Sequence, residues 1–179
     1  MIRDIAARRY AEAAFEIARE AGTEQSWSEG LALVAAAFSD PQMAAVMQEA
    51  RISTADKVAL AEWTLASVDP LVLNLARLLV HRGRTALATQ IAEAFQELAD
   101  AARGIAHAEV TTAVQLSEAE AKAVAEKLGE ITGKQVVVET RVDEGIIGGL
   151  VARIGDKLID GSTRSRLAAL KRRLQEARA

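Results

Sequence analysis

Four glycines, Gly145, Gly148, Gly149 and Gly155, crowd into a short stretch and raise the question of a phosphate cradle. Such a cradle needs backbone N–H groups converging on the anion, as in G-x-G-x-x-G, or G-x-x-x-x-G-K-[ST] with a Lys for phosphate and a hydroxyl for Mg²⁺. Neither pattern occurs, so these glycines read as shaping a turn and a close approach of strands. His81 and His107 have no His or Glu at helical metal-ligand spacing and read as neither ligands nor bases. There is no cysteine, which removes disulfides, thiolate metal sites and Cys nucleophiles together. The carboxylate pairs Glu12 with Glu16 and Glu93 with Glu97 sit among polar neighbours, where nothing would raise a pKa. The expectation is no catalytic residue, no cofactor and no metal.

Composition agrees with a folded, globular protein. The chain has 179 residues, with 22 Lys plus Arg against 25 Asp plus Glu and a formal charge of −3. That length suits one large or two small domains. Half the residues are apolar and 26% are charged, a globular balance. Met1-Ile2-Arg3-Asp4 becomes charged at once, so no leader is expected. Apolar runs such as Leu31 to Phe38 are far shorter than the roughly 20 residues that span a bilayer, so any membrane role should be indirect.

The elements divide the chain at Arg103-Gly104. Residues 1–103 are net acidic and helical in period; residues 104–179 are slightly basic and rich in β-branched stretches. Helices are expected over Ile2 to Glu20 and Glu24 to Phe38. Asp40-Pro41 opens a short one, Ser53 with Asp56 another, and Asp69-Pro70 a fifth that runs to His81. A sixth runs from about Thr85 to Ala102. Six helices with short connections predict a bundle, with Trp27 and Trp63 in its core. Beyond Gly104, Ile105 to Val114 reads as a strand and Ser117 with Glu120 as a capping box for a helix to Thr132. Gln135 to Val142 alternates, with Val136, Val138, Thr140 and Val142 on one face. Leu150 to Ile154 and Lys157 to Ile159 flank a Gly155-Asp156 hairpin turn. Ser162 caps a last helix with Leu167, Leu170 and Leu174 on one side. The fold class is therefore α+β: a six-helix N-terminal bundle, then a small α/β domain with a three- to four-stranded sheet.

Two helices carry more apolar surface than one neighbouring layer needs. At about 100° per residue, Ile2 to Glu20 gathers its charges into an arc of roughly 100° while its apolar residues spread over about 180°. On Pro70 to Arg82, Asn74, Arg77 and His81 share a narrow polar stripe, and apolar residues fill about 220°. A surface helix ordinarily needs a stripe somewhat over 100° wide. Either both are central helices enclosed by the others, or together they form a groove for a foreign amphipathic helix. Geometry alone leaves both open. The terminal helix carries Arg164, Arg166, Lys171, Arg172, Arg173 and Arg178 against Glu176. That charge admits an RNA-binding adaptor as an alternative, but no aromatic stacking platform accompanies it and basic residues also complement a helix C-terminus. No nucleic acid is expected.

Two stretches make the chain similar to a known family. They are Ala7-Arg8-Arg9-Tyr10-Ala11-Glu12-Ala13-Ala14-Phe15, and Val142-Asp143 through Gly148-Gly149-Leu150 to the run Gly155-Asp156-Lys157-Leu158-Ile159-Asp160-Gly161-Ser162-Thr163-Arg164-Ser165-Arg166-Leu167. Both resemble the delta subunit of the F-type ATP synthase, whose mitochondrial counterpart is the oligomycin sensitivity-conferring protein. The likeness covers essentially the whole chain. Thr163 and Ser165 depart from it, standing where many relatives have an apolar residue and a Gly.

The resemblance implies a non-catalytic stator subunit of the proton-translocating F-type ATP synthase. It would link the catalytic head to the membrane sector at the cytoplasmic face of the cell membrane and resist rotor torque. Residues 1–103 would bind an N-terminal helix of an alpha subunit between the first and fifth helices. Carried onto this sequence, that groove comprises Ala6, Tyr10, Ala13, Ala14 and Ile17 with Leu71, Leu75 and Leu78. Residues 104–179 would engage the b subunits of the peripheral stalk, with Arg164, Arg166, Lys171, Arg172 and Arg173 as contacts.

Overall fold

The computed structural model describes residues 5–143, 145–146, 148–155, 157–163, 165 and 167. Among them, seven α-helices and a four-stranded mixed sheet make an α+β protein, as the change in periodicity leads one to expect. The chain divides into two compact units, Met1–Ala99 and Asp100–Ala179.

The first unit is helical. Its helices are α1 (Ile5–Ala21), α2 (Glu24–Ser39), α3 (Pro41–Gln48), α4 (Thr54–Thr64) and α5 (Pro70–His81), then a 3₁₀ turn at Thr85–Leu87 that leads into α6 (Ala88–Ala102), whose last three residues fall in the second unit. The starts follow from side-chain capping of orphan N–H groups. Asp40 Oδ1 accepts from Gln42 and Met43 N–H at 2.9 and 3.0 Å. Ser53 Oγ accepts from Asp56 N–H at 3.1 Å, and Asp69 Oδ1 from Leu71 N–H at 2.8 Å. Pro41 and Pro70 each sit at the first helical position, where no N–H is needed.

The core of this unit gathers around Phe95 on α6. The Phe15 ring meets it edge-on at 5.8 Å and Trp27 stacks on it at 6.1 Å. Leu79, Ile91, Val34 and Val72 are also fully buried. A Cβ on Gly30 would lie 3.1 to 3.2 Å from the Val68 and Val72 side chains, so glycine permits this approach of α2 to α5. Trp27 is buried as expected, but its Nε1 has no hydrogen-bond partner among the described residues. Trp63 does not join the core: it is 81% exposed on α4. At about 100° per residue it points some 160° to 200° away from Ala61 and Leu65, which are buried.

The second unit is a sheet with strand order β2-β1-β3-β4. Its strands are β1 (Ile105–Thr112), β2 (Gln135–Val142), β3 (Leu150–Ile154) and β4 (Lys157–Asp160). β1 runs parallel to β2 and antiparallel to β3. A parallel pair needs a crossover connection, and α7 (Glu118–Thr132) supplies it. Ser117 and Glu120 close the capping box reciprocally, and Gly133 ends the helix in the left-handed region at φ 69°. Ala108, Val110, Leu128, Val136 and Ala152 form the core under α7 and the sheet. On β2, only the first half of the apolar face is covered: Val136 is buried, Val138 half-buried, and Thr140 and Val142 exposed.

The glycine-rich segment is structural. Gly149 has φ 82°, and a Cβ there would lie 2.5 Å from the Gly161 carbonyl oxygen. This contact is where the chain entering β3 passes the chain leaving β4. Leu170, Leu174 and the second residue of the Gly155-Asp156 turn lie outside the described residues.

Candidate partner-binding surface

The apolar arcs of α1 and α5 divide in the same way. On α1, Ala7, Ala11, Ala14, Phe15 and Ala18 are buried, filling an arc of about 100°. Beside it, Ala6, Tyr10, Ala13 and Ile17 form a further stripe about 60° wide that the unit's own core covers only in part, through Tyr10. Ala6 and Tyr10 are half-buried, Ala13 is exposed and Ile17 is 47% exposed. On α5, Val72, Ala76, Leu79 and Val80 are buried. Leu71, Leu75 and Leu78 again make a stripe of about 60° alongside, with Leu71 47% and Leu78 40% exposed and Leu75 half-buried. Ala14 is 3% exposed and faces the core; it belongs to the sealed arc rather than to the open stripe.

The α1 stripe borders an open recess of about 630 Å³, lined by Ile5, Ala6, Arg9, Tyr10, Ala13 and Arg84. Leu71, Leu75 and Leu78 do not line it. Arg84, in the turn after α5, donates from Nη1 to the Tyr10 hydroxyl at 3.2 Å, and its guanidinium carbon lies 6.0 Å from the Tyr10 ring centre. Arg9 and Arg84 escape an apolar-stripe reading because both are charged. The helical phase does hold a signal for Arg9, which lies only about 40° from Ala13 around α1.

Two other arginines on these helices have a carboxylate partner. Arg8 Nε donates to Glu12 at 2.9 Å, and Arg77 Nε to Glu62 at 2.6 Å. No cluster of three or more His, Asp or Glu that could hold a metal occurs among the described residues. Among those residues, no single helix is long and apolar enough to cross a membrane. His81 is exposed, and His107 is engaged with Asp100. The start of the last helix is built by Asp160, which accepts from Ser162 N–H at 2.9 Å and from Ser165 Oγ at 2.6 Å. Those bonds hold the Asp160 carboxyl below its ordinary pKa. Ser165, one of the two departures from the resembled pattern, thus supplies a side-chain hydrogen bond that a Gly would lack. Arg164, Arg166, Lys171, Arg172 and Arg173 lie outside the described residues.

The family model described as ATP synthase delta (OSCP) subunit matches residues 6–174. Curated relatives named ATP synthase subunit delta include one from Dehalococcoides mccartyi, 39% identical over 173 residues, spanning 96% of this chain and 95% of that protein. Another, from Gemmatimonas aurantiaca, is 39% identical over 97% of this chain and 95% of its own length. A third, from Symbiobacterium thermophilum, is 38% identical over 99% and 96%. In the cryo-EM structure of the Toxoplasma gondii mitochondrial ATP synthase hexamer, one chain superimposes with a TM-score of 0.68 at 19% identity, over 94% of this chain and 97% of that one. That likeness is one of fold.

Proposed function

The chain belongs to the ATP synthase delta (OSCP) subunit family, and from that premise we propose how its two halves serve the complex. It is a non-catalytic stalk subunit of the membrane-associated ATP synthase. In our reading its N-terminal six-helix bundle, residues 1–103, grips an N-terminal helix of an alpha subunit of the catalytic head. Residues 104–179 grip the b subunits of the peripheral stalk at the cytoplasmic face of the membrane. A proton-driven rotor would drag the head round with it unless the head were tied to the membrane sector. The tie needs no nucleophile, metal or cofactor. It needs two contacts that dissociate slowly against rotation, and affinity differences of this kind reside mainly in the off-rate.

One observation carries the head-binding half of this reading: α1 and α5 each carry an apolar stripe of about 60° that their own core covers only in part, leaving Ala13, Ile17, Leu71 and Leu78 exposed. An amphipathic helix laid on these stripes would bury apolar surface worth roughly 25 cal/mol per Å² before the costs of association. The contacts are Ala6, Tyr10, Ala13 and Ile17 from α1 and Leu71, Leu75 and Leu78 from α5. For the stalk half, the proposed contacts are the basic residues Arg164, Arg166, Lys171, Arg172 and Arg173, whose charge in the sequence suits an acidic partner. The RNA-binding alternative receives no support from the relatives, which are named ATP synthase subunits.

The test is titration of the full-length chain with a synthetic peptide of the alpha-subunit N-terminus. Tyr10→Asp and Leu78→Asp should each weaken binding at least about tenfold, the effect of some 1.4 kcal/mol, while the far-ultraviolet circular dichroism keeps its helical shape. Unchanged affinity in both variants refutes the placement.

A further inference from the structure

We propose that Arg84 and Arg9 form a carboxylate-recognising end to the α1 recess, so that the helix docking there is selected for an acidic residue flanking its apolar stripe. This rests on the docking reading above and names the chemistry that the site demands of its partner.

Three observations carry it. Among the described residues, the recess wall combines apolar surface from Ile5, Ala6 and Ala13 with two guanidinium groups and no carboxylate. Among the described residues, neither arginine makes an ion pair, although Arg8 on α1 and Arg77 on α5 do. Arg84 is also aimed: its Nη1 donates to the Tyr10 hydroxyl while its guanidinium lies over the Tyr10 ring. A guanidinium held on an aromatic face keeps its remaining N–H donors in a fixed fork that matches a carboxylate. Holding the fork in advance reduces the side-chain entropy lost on binding.

Charge complementarity therefore fixes the occupant. A helix with apolar residues alone would fill the stripe but leave two cations beside a low-dielectric interface, with their hydration disturbed and no counter-charge. A helix with Glu or Asp one turn beyond its apolar anchors would supply that counter-charge and set the register of docking. Tyr10 acts here as a positioning residue, orienting Arg84.

The experiment titrates the full-length chain with the alpha N-terminal peptide at low and high salt. Its comparisons are Arg84→Gln, Arg84→Lys and Tyr10→Phe on the protein side, and Glu/Asp→Gln/Asn on the peptide side. Arg84→Gln should weaken binding about three- to tenfold at low salt and flatten the salt dependence. Arg84→Lys should restore the salt dependence but not the full affinity, because a point charge lacks the fork. Tyr10→Phe should shift the salt slope less than Arg84→Gln does. The amidated peptide should bind parent and Arg84→Gln equally. If Arg84→Gln binds like the parent at every salt concentration while Leu78→Asp does not bind, the acidic-partner inference falls and the docking groove stands. If neither Leu78→Asp nor Tyr10→Asp alters binding, the groove itself falls.

Discussion

His107 Nε2 on β1 lies 2.8 Å from Asp100 Oδ2 in the last turn of α6. Asp100 is buried, and a carboxylate near a helix C-terminus meets the negative end of the macrodipole. The imidazole opposite it offsets that placement. This pair belongs to the sheet-bearing unit, which begins at Asp100 rather than at Gly104. Charge patterning places the boundary where the helix ends, whereas this contact joins the helix's last turn to the strand that follows.

Replacing His107 by Ala should destabilise the protein by about 1–2 kcal/mol, because the buried Asp100 carboxylate loses a partner. Asp100→Asn should cost less, since an amide can still bond to the imidazole. Urea denaturation followed by circular dichroism checks both. Equal midpoints for parent and His107→Ala would show that the contact contributes nothing.

The two tryptophans should behave oppositely. Trp27→Ala should cost about 3–5 kcal/mol, since it empties the stack on Phe95, whereas Trp63→Ala should change stability by less than about 0.5 kcal/mol. Trp27→Phe should lie within about 1 kcal/mol of the parent, because lost volume is offset by removal of an unbonded N–H. Acrylamide should quench Trp63 fluorescence, seen in the Trp27→Phe variant, more strongly than Trp27 fluorescence in the Trp63→Ala variant.

Local rules were enough to read most of the helical half. Asp40-Pro41, Ser53 and Asp69-Pro70 cap the helices they were expected to cap, since capping depends on only three or four residues in sequence. Residue type argues for burying Trp63 but helical phase decides against it: two positions after the buried Ala61, a side chain points to the opposite side of α4. The groove stripes were legible as excess arc, but their division into covered and open parts was not. That division depends on which helices pack against α1 and α5, a non-local fact, and it moves Ala14 into the core. Arg84 was invisible as a recess residue for a related reason. It reaches Tyr10 across 74 positions of sequence.

Gly149 separates two costs that glycine substitutions usually combine. Gly133→Ala meets no atom within 4 Å and carries only the penalty of its positive φ, about 1 kcal/mol. Gly149→Ala carries the same penalty and drives a methyl group to 2.5 Å from a backbone oxygen, so it should cost at least about 2–3 kcal/mol. Thermal melts of the two variants should differ in that order. A Gly149→Ala protein as stable as Gly133→Ala would mean that the β3 and β4 ends do not approach as closely as described.

Acid should act on this protein partly through Asp160. Its carboxyl is held below the ordinary value of 3.8 first by the Ser165 hydroxyl, then by the Ser162 backbone and side chain. A folded-state pKa below the unfolded one means that the unfolded chain binds the proton more readily. The resulting stabilisation is fully present above the unfolded value and is lost as pH falls through the folded one. Ser165→Ala removes the largest cause and leaves the Ser165 backbone N–H free to bond the Ser162 hydroxyl as before, at 3.3 Å. The variant should therefore be less stable than the parent at neutral pH, with the gap closing progressively below 3.8. The Asp160 carboxyl is exposed, so the effect is small and is best read as the difference between two urea midpoints across pH. Glu120, held down by Ser117 in the same sense, is unchanged in both proteins and cancels from that difference. A gap that persists undiminished into strong acid would show that the Ser165 hydroxyl stabilises the turn without favouring the charged form of Asp160.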